Sequence, residues 1–230
     1  MSKARLESFS DAIFAIAITV LVLNIAGPTN FHDLGHQLVD RVSDFAAYIV
    51  SFAVIGIMWL NHHLLFSHFS NSDRGLVLCN LALMLTIAFL PYPTSVFGRA
   101  LVQGSGTKVA AVFYSVTMAV NAYMWAVLWL YASVNRRLLV PAFPESQRAV
   151  ATVLFTAGTV AYTLAVGVGF LSPVASLALQ GAFCHLLRPR PGIAPSLPGS
   201  VTVGVRAGGR RVADRVILSL PVEPLRTHVE

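Results

Sequence analysis

Three polar side chains stand in fixed order where the first apolar run begins: Arg5, then Ser10 and Asp11 directly behind Phe9, with residues 12–25 following. A charged side chain at the centre of a membrane helix costs about 2.5–3.5 kcal/mol on insertion scales, so such residues mark a function or a buried pair. Their chemistry is fixed charge and directed hydrogen bonding. At about 100° per residue, Ile13, Ile16, Val20 and Leu23 fall in one narrow stripe, with Thr19 at its margin and Phe9 in line at the entry. Asp11 lies roughly opposite. One face is therefore smooth and apolar, while the other carries a charge that needs a partner. Helix packing and the lining of a path both fit that pattern.

A second polar set closes the next apolar run, as Trp59-Leu60-Asn61-His62-His63. Trp59 and His63 are four residues apart and share a helical face. They either anchor the helix at the interface or reach the Arg5/Asp11 entry, because the start of one span and the end of the next lie on the same side of a bilayer. His32 and His36 have a metal-ligand spacing, but nothing nearby completes a site, so a solvated short helix is expected. Cys79 and Cys184 lie in apolar runs and read as small core residues. There is no midplane carboxylate pair, no Ser-His-Asp set, no Cys-His cluster and no nucleotide loop. These absences argue against an enzyme, and no cofactor or metal is expected.

The elements that must position these residues follow from composition. The 230 residues are 56% hydrophobic and only 11% charged, where a soluble domain carries about 25% charged residues. Several apolar runs reach the roughly 20 residues that cross a bilayer, so the fold expected is an all-α integral membrane protein with six transmembrane helices. After the first helix and the break at Gly27-Pro28-Thr29-Asn30 come spans near 45–66, 75–97, 109–133, 149–171 and 173–187, the last short for a crossing. Asn71-Ser72-Asp73 reads as a helix N-cap. Asn80, inside the third span, can bond a neighbour. Pro91 and Pro93 should kink or end that helix, and residues 98–108 read as a connection. Val166-Gly167-Val168-Gly169-Phe170 resembles a carbonyl filter only superficially, with no re-entrant helix before it; the glycines are expected to permit close packing. No cleavable signal peptide is visible.

Net charge is +6, but residues 188–230 hold seven arginines against three acids. The excess belongs to a basic Pro/Gly/Arg-rich tail, expected to be disordered, beside a six-helix transmembrane unit at 1–187. No aromatic-basic interleaving points to nucleic acid. Lys3, Arg5, Arg74, Arg136, Arg137, Arg148 and the tail fall on one side of a six-span arrangement, with only Arg41, Arg99 and Lys108 on the other. That asymmetry places both termini in the cytoplasm.

The run Arg5-x-x-x-Phe9-Ser10-Asp11, opening onto Ala12-Ile13-Phe14-Ala15-Ile16-Ala17-Ile18-Thr19, resembles the signature of the transmembrane protein 175 family of potassium channels. The likeness covers about residues 4–187. It implies one six-helix unit per chain, assembled as a homotetramer in the lipid bilayer with the pore formed between subunits by the first helix. By motif alignment it implies that Ile16 forms the narrowest hydrophobic ring, that Thr19 favours K+ over sodium, and that Val20 and Leu23 continue the lining. Arg5, Phe9, Ser10 and Asp11 would not touch the ion; with Trp59 and His63 they would brace the pore helix. The reading is a potassium-permeable, hydrophobically gated channel of the plasma membrane. A small-solute or proton-linked transporter, or a scaffold whose first helix serves assembly only, would instead bury Ile16 and Leu23 in protein or lipid.

Overall fold

In hydrocarbon a backbone must satisfy its own hydrogen bonds, so long apolar runs fold as helices. The computed structural model describes residues 2–25, 27, 31–141, 143–186, 206–207 and 210–211. The chain divides into two units, Met1–Pro189 and Arg190–Glu230. The named elements of the first are helices: α1 Lys3–Val20, α2 Leu34–Asp40, α3 Val42–Ser67, α4 Arg74–Phe89, α5 Pro91–Gln103, α6 Thr107–Val134, α7 Glu145–Leu171 and α8 Pro173–Leu186, with 3₁₀ turns at Leu21–Asn24, Phe31–Asp33 and Arg136–Leu138. Among the described residues, five segments are long and apolar enough to cross a membrane: Lys3–Leu23, Asp44–Ser67, Arg74–Gln103, Thr107–Val134 and Glu145–Leu171. The protein is a multi-pass membrane protein. In the second unit the described residues are two short antiparallel strands, β1 Arg206–Ala207 and β2 Arg210–Arg211. The disorder expected of the tail otherwise falls outside the described residues, as does the side chain of Cys184.

Several boundaries differ from expectation. The first helix starts at Lys3, so Arg5 to Asp11 lie within its opening turns. Lysine, alanine, arginine, leucine and glutamate are all good helix formers, and Lys3 Nζ lies 3.7 Å from Glu7 Oε1 one turn on. The α-helix then ends at Val20, and residues 21–24 tighten into a 3₁₀ turn. Residues 98–103 continue α5 and form no connection; the chain leaves that helix at Gly104, whose φ of +64° only glycine adopts without cost. Proline breaks the third span at Pro91, the first residue of α5, where its missing N–H is tolerated. The two glycines of 166–170 lie in uninterrupted helix α7. A Cβ at Gly169 would make ordinary contact with Val112, Ser115 and Ser176, whereas one at Gly167 would meet nothing. Helix α8 has 14 residues, about 21 Å at 1.5 Å per residue, which is short of the roughly 30 Å hydrocarbon core.

The centre of the bundle is α6, against which α4, α5, α7 and α8 pack, while α1 packs on α3 and α4. Lipid is as apolar as leucine, so close packing and interhelical hydrogen bonds hold such helices together. Trp129 Nε1 donates to Thr152 Oγ1 at 2.9 Å and its ring stacks on Phe155. Asn121 Nδ2 donates to Thr86 Oγ1 at 2.7 Å. Between α6 and α8, Gln180 Nε2 donates to Ser115 and Ser176 at 2.8 and 3.1 Å.

Outside the spans, the loop before α4 and the loop after α6 are clasped. Ser70 N donates to Leu138 O at 2.8 Å and Val140 N to His68 O at 2.9 Å. Asp73 caps α4 by accepting from Leu76 N at 2.9 Å, and it also accepts from the Tyr131 hydroxyl and from Arg137 Nη2, both at 3.0 Å. The Leu76 N–H, then those two donors, hold its carboxyl below the usual range against the opposing effect of burial. His68 sits half-buried beside Phe143; burial, then the nearby Lys3 charge, lowers its pKa. Gly75 leaves room for Tyr131 to reach Asp73, since a Cβ there would fall on the Tyr131 hydroxyl and ring edge. Gly75→Ala should lower stability by about 1–3 kcal/mol, the usual cost of overpacking, seen as a lower thermal midpoint of the purified protein. Adding Tyr131→Ala removes the clash, so the double variant should lose less than the sum of the two single losses; strict additivity would mean the contact does not exist.

Candidate functional site

Helix α1 and the 3₁₀ turn that follows it have two contrasting sides. Leu6, Ser10, Phe14, Ala17 and Leu21, spaced three or four apart, are buried against the bundle. On the far side Ile16 is 60% exposed, Val20 39% and Leu23 78%, and Phe9 and Thr19 are also exposed. Ile13 lies between, partly buried. With Ala17, Leu81, Met84, Leu85 and their neighbours, the rim of that exposed face borders an open apolar groove of about 330 Å³ between α1 and α4. The Thr19 hydroxyl donates to Ile16 O at 2.9 Å. Its proton is thus used within the helix, and its oxygen lone pairs remain to accept.

The buried face is fixed by a chain of polar groups. Ser10 Oγ donates to Leu6 O at 2.9 Å and accepts from Asn80 Nδ2 at 2.8 Å. With that amide donating to Ser10, its carbonyl oxygen accepts from His62 Nε2 at 2.9 Å. All three side chains are buried. The imidazole stacks on Phe66, with ring centroids 4.2 Å apart, and meets Phe14 and Trp125 edge-on. One histidine thereby ties α3 to α1, α4 and α6.

Asp11 leaves this chain on the flank facing α3, where Trp59 Nε1 donates to its Oδ1 at 2.8 Å. The structure therefore brings Asp11 to Trp59 and Ser10 to Asn80 and His62. His63 is exposed, beside the Trp59 ring at 6.2 Å between centroids. Arg5 is exposed and forms no ion pair with Asp11 among the described residues. Six residues separate them, about 240° around the helix, so the two charges face different ways and do not compensate one another within one chain.

His62 is the participant that the sequence reading passed over in favour of His63. The signal was present: Ile55, Met58, His62, Leu65, Phe66 and Phe69 recur at three or four residues and are all buried, whereas His63 falls off that stripe. Between the first two spans, His36 Nδ1 lies 2.9 Å from Asp33 Oδ1. No group of three or more His, Cys, Asp or Glu that could hold a metal occurs among the described residues.

Residues 5–91, the stretch that runs from α1 through α4 to the first residue of α5, match the family model described as endosomal/lysosomal potassium channel TMEM175. A potassium channel of Streptomyces collinus is 37% identical over 181 residues, covering 78% of this chain and 88% of that protein. A potassium channel of Chamaesiphon minutus is 31% identical over 178 residues, covering 73% and 84%. The crystal structure of a lysosomal potassium-selective channel TMEM175 homolog from Chamaesiphon minutus superposes with a TM-score of 0.69 at 29% identity, covering 80% of this chain and 95% of that one.

Proposed function

Because this chain belongs to the TMEM175 family of potassium channels, we propose that its pore is built between subunits, by four copies of α1 around one axis. The chain is a potassium channel and not an enzyme. K+ is the permeant ion, and the mechanism calls for no cofactor.

The observation that carries the reading is the apolar run of α1 and the 3₁₀ turn after it, with Ile16 and Leu23 exposed while the face carrying Leu6, Ser10 and Phe14 is buried. In a homotetramer, Ile16 would form the neck, Val20 and Leu23 would continue its lining, and Thr19 would turn hydroxyl oxygens toward the ion. A narrow apolar ring gates by dewetting, because water leaves a constriction that offers it no hydrogen bonds. The Thr19 geometry supports a cation contact: the proton points to Ile16 O, leaving lone pairs outward. Arg5, Phe9, Ser10, Asp11, Trp59 and His63 act away from the ion. Ser10 and Asp11 hold the pore helix to α4 and α3; Arg5, Phe9 and His63 lie exposed, where a neighbouring subunit can meet them. Helix α8 completes six crossings as a short sixth span, and both termini lie on the cytoplasmic side of the plasma membrane.

The test is a reversal potential in proteoliposomes or a planar bilayer under opposed potassium and sodium gradients, with oligomeric mass measured on the same preparation. A potential displaced toward the potassium equilibrium value, from tetramers, is expected. Intact tetramers without current would leave assembly as the role of α1.

A further inference from the structure

Away from α1, two features of α7 meet at one place. The first is electrostatic. Glu145 is clasped by two arginines: Arg136 Nη2 lies 3.0 Å from Oε1, and Arg148 reaches Oε2 with Nη2 at 2.6 Å and Nε at 2.9 Å. Two guanidiniums share one carboxylate, so the triad keeps a net positive charge. The neighbouring Arg137 adds nothing to the excess, because Asp73 neutralises it. Arg136 remains largely exposed, and a guanidinium carries five N–H donors, most of them unused there.

The second feature is a shallow apolar furrow of about 510 Å³ along the exposed side of α7, from Thr152 to Leu164, with Ala157, Val160 and Ala161 in its lining. It starts one turn from Arg148, whose carbonyl accepts from the Thr152 hydroxyl at 2.9 Å. Its run is about 18 Å at 1.5 Å per residue, close to one leaflet of a hydrocarbon core roughly 30 Å thick. A cationic end and an apolar body of one-leaflet length match the two halves of a single kind of molecule. A soluble anion would leave the furrow empty, and a zwitterionic lipid would leave the charge unanswered.

We propose that this face of α7 binds an anionic glycerophospholipid, with one acyl chain along the furrow and the headgroup phosphate on Arg136 and Arg148. Planar guanidiniums suit a phosphate because they donate two parallel hydrogen bonds. The site is separate from the pore helix, and occupancy requires no ion flow.

The experiment uses the full chain in mild detergent and counts retained lipids by native mass spectrometry, with phosphatidylglycerol, phosphatidylcholine or glycerol phosphate added. Phosphatidylglycerol is expected to be retained about fivefold more than phosphatidylcholine, in line with one surface arginine acting on an anionic headgroup. Arg136→Gln, which alters an exposed side chain, should erase that preference without lowering the thermal midpoint. Ala157→Trp, which fills the furrow, should reduce retention of both lipids at unchanged oligomeric mass. Glycerol phosphate alone should not be retained. Equal retention of the two lipids by the unaltered protein, or a preference that survives Arg136→Gln, would overturn the proposal. A change of oligomeric mass in Ala157→Trp would overturn it in favour of a subunit contact, and retention of glycerol phosphate in favour of a free-anion site.

Discussion

Replacing Ile16 with asparagine is expected to raise potassium current about tenfold and to weaken discrimination against sodium. Ile16 is the apolar side chain on the exposed face of α1 that the proposed pore places at the neck. A ring of four such side chains offers an ion no substitute for its hydration shell, and the barrier is the cost of wetting the constriction. The amide of asparagine is smaller than the isoleucine side chain and supplies both donors and acceptors there. Lowering the barrier by only about 1.4 kcal/mol multiplies a rate tenfold. Discrimination should fall because a neck held open by water no longer forces the ion against Thr19. Single-channel recordings with matched protein density measure both effects. Unchanged conductance in intact Ile16→Asn tetramers would remove Ile16 from the path and return the exposed face of α1 to packing or lipid contact.

Asn80→Leu is expected to be the most damaging single change on the buried side of α1. It leaves the His62 Nε2–H without an acceptor and takes away the donor on Ser10. A buried polar group left unpaired costs about 1–3 kcal/mol, and measured values inside bilayers sit toward the lower end. The thermal midpoint of the detergent-solubilised protein should fall, and the tetramer fraction with it. The double variant His62→Phe/Asn80→Leu should recover part of the loss, because a phenyl ring keeps the stack on Phe66 and leaves no orphaned donor. If the single variant melts with the wild type, the polar chain contributes nothing to holding α1.

Five of the six expected spans were legible because their cause is local: apolar runs of bilayer length, punctuated by Gly27-Pro28, Asp73, Pro91 and the glycines at 104 and 106. The stripe of Ile16, Val20 and Leu23 followed from helical spacing alone. What sequence spacing could not deliver is the choice between neighbouring side chains that look alike in one dimension. His62 and His63 differ by about 100° around α3, and only packing decides which enters the core. Arg5 and Asp11 have opposite charges and lie close in sequence, yet they point away from each other. The start of α1 at Lys3 was hidden because charged residues were read as a boundary, although helix propensity carries straight through them. Helix α5 extended past Gly98 because a single glycine costs only about 1 kcal/mol, less than the neighbouring contacts return.

The polar chain from His62 through Asn80 and Ser10 to Leu6 O also settles how α1 is turned about its own axis. Apolar faces packed in lipid discriminate weakly between orientations, since any one of them trades hydrocarbon for hydrocarbon. A one-residue change in azimuth, about 100°, would carry Ser10 away from Asn80 and present Phe9 or Asp11 in its place. Every donor in the chain runs toward the α1 backbone, so the serine acts as a key that fits one setting only. The side chains set on the far side of the helix are thereby indexed by a hydrogen-bond pattern on the near side. In the proposed pore, a neck that widens while this key stays seated would do so through the χ angles of its isoleucines or the tilt of the helix, and not by twisting α1.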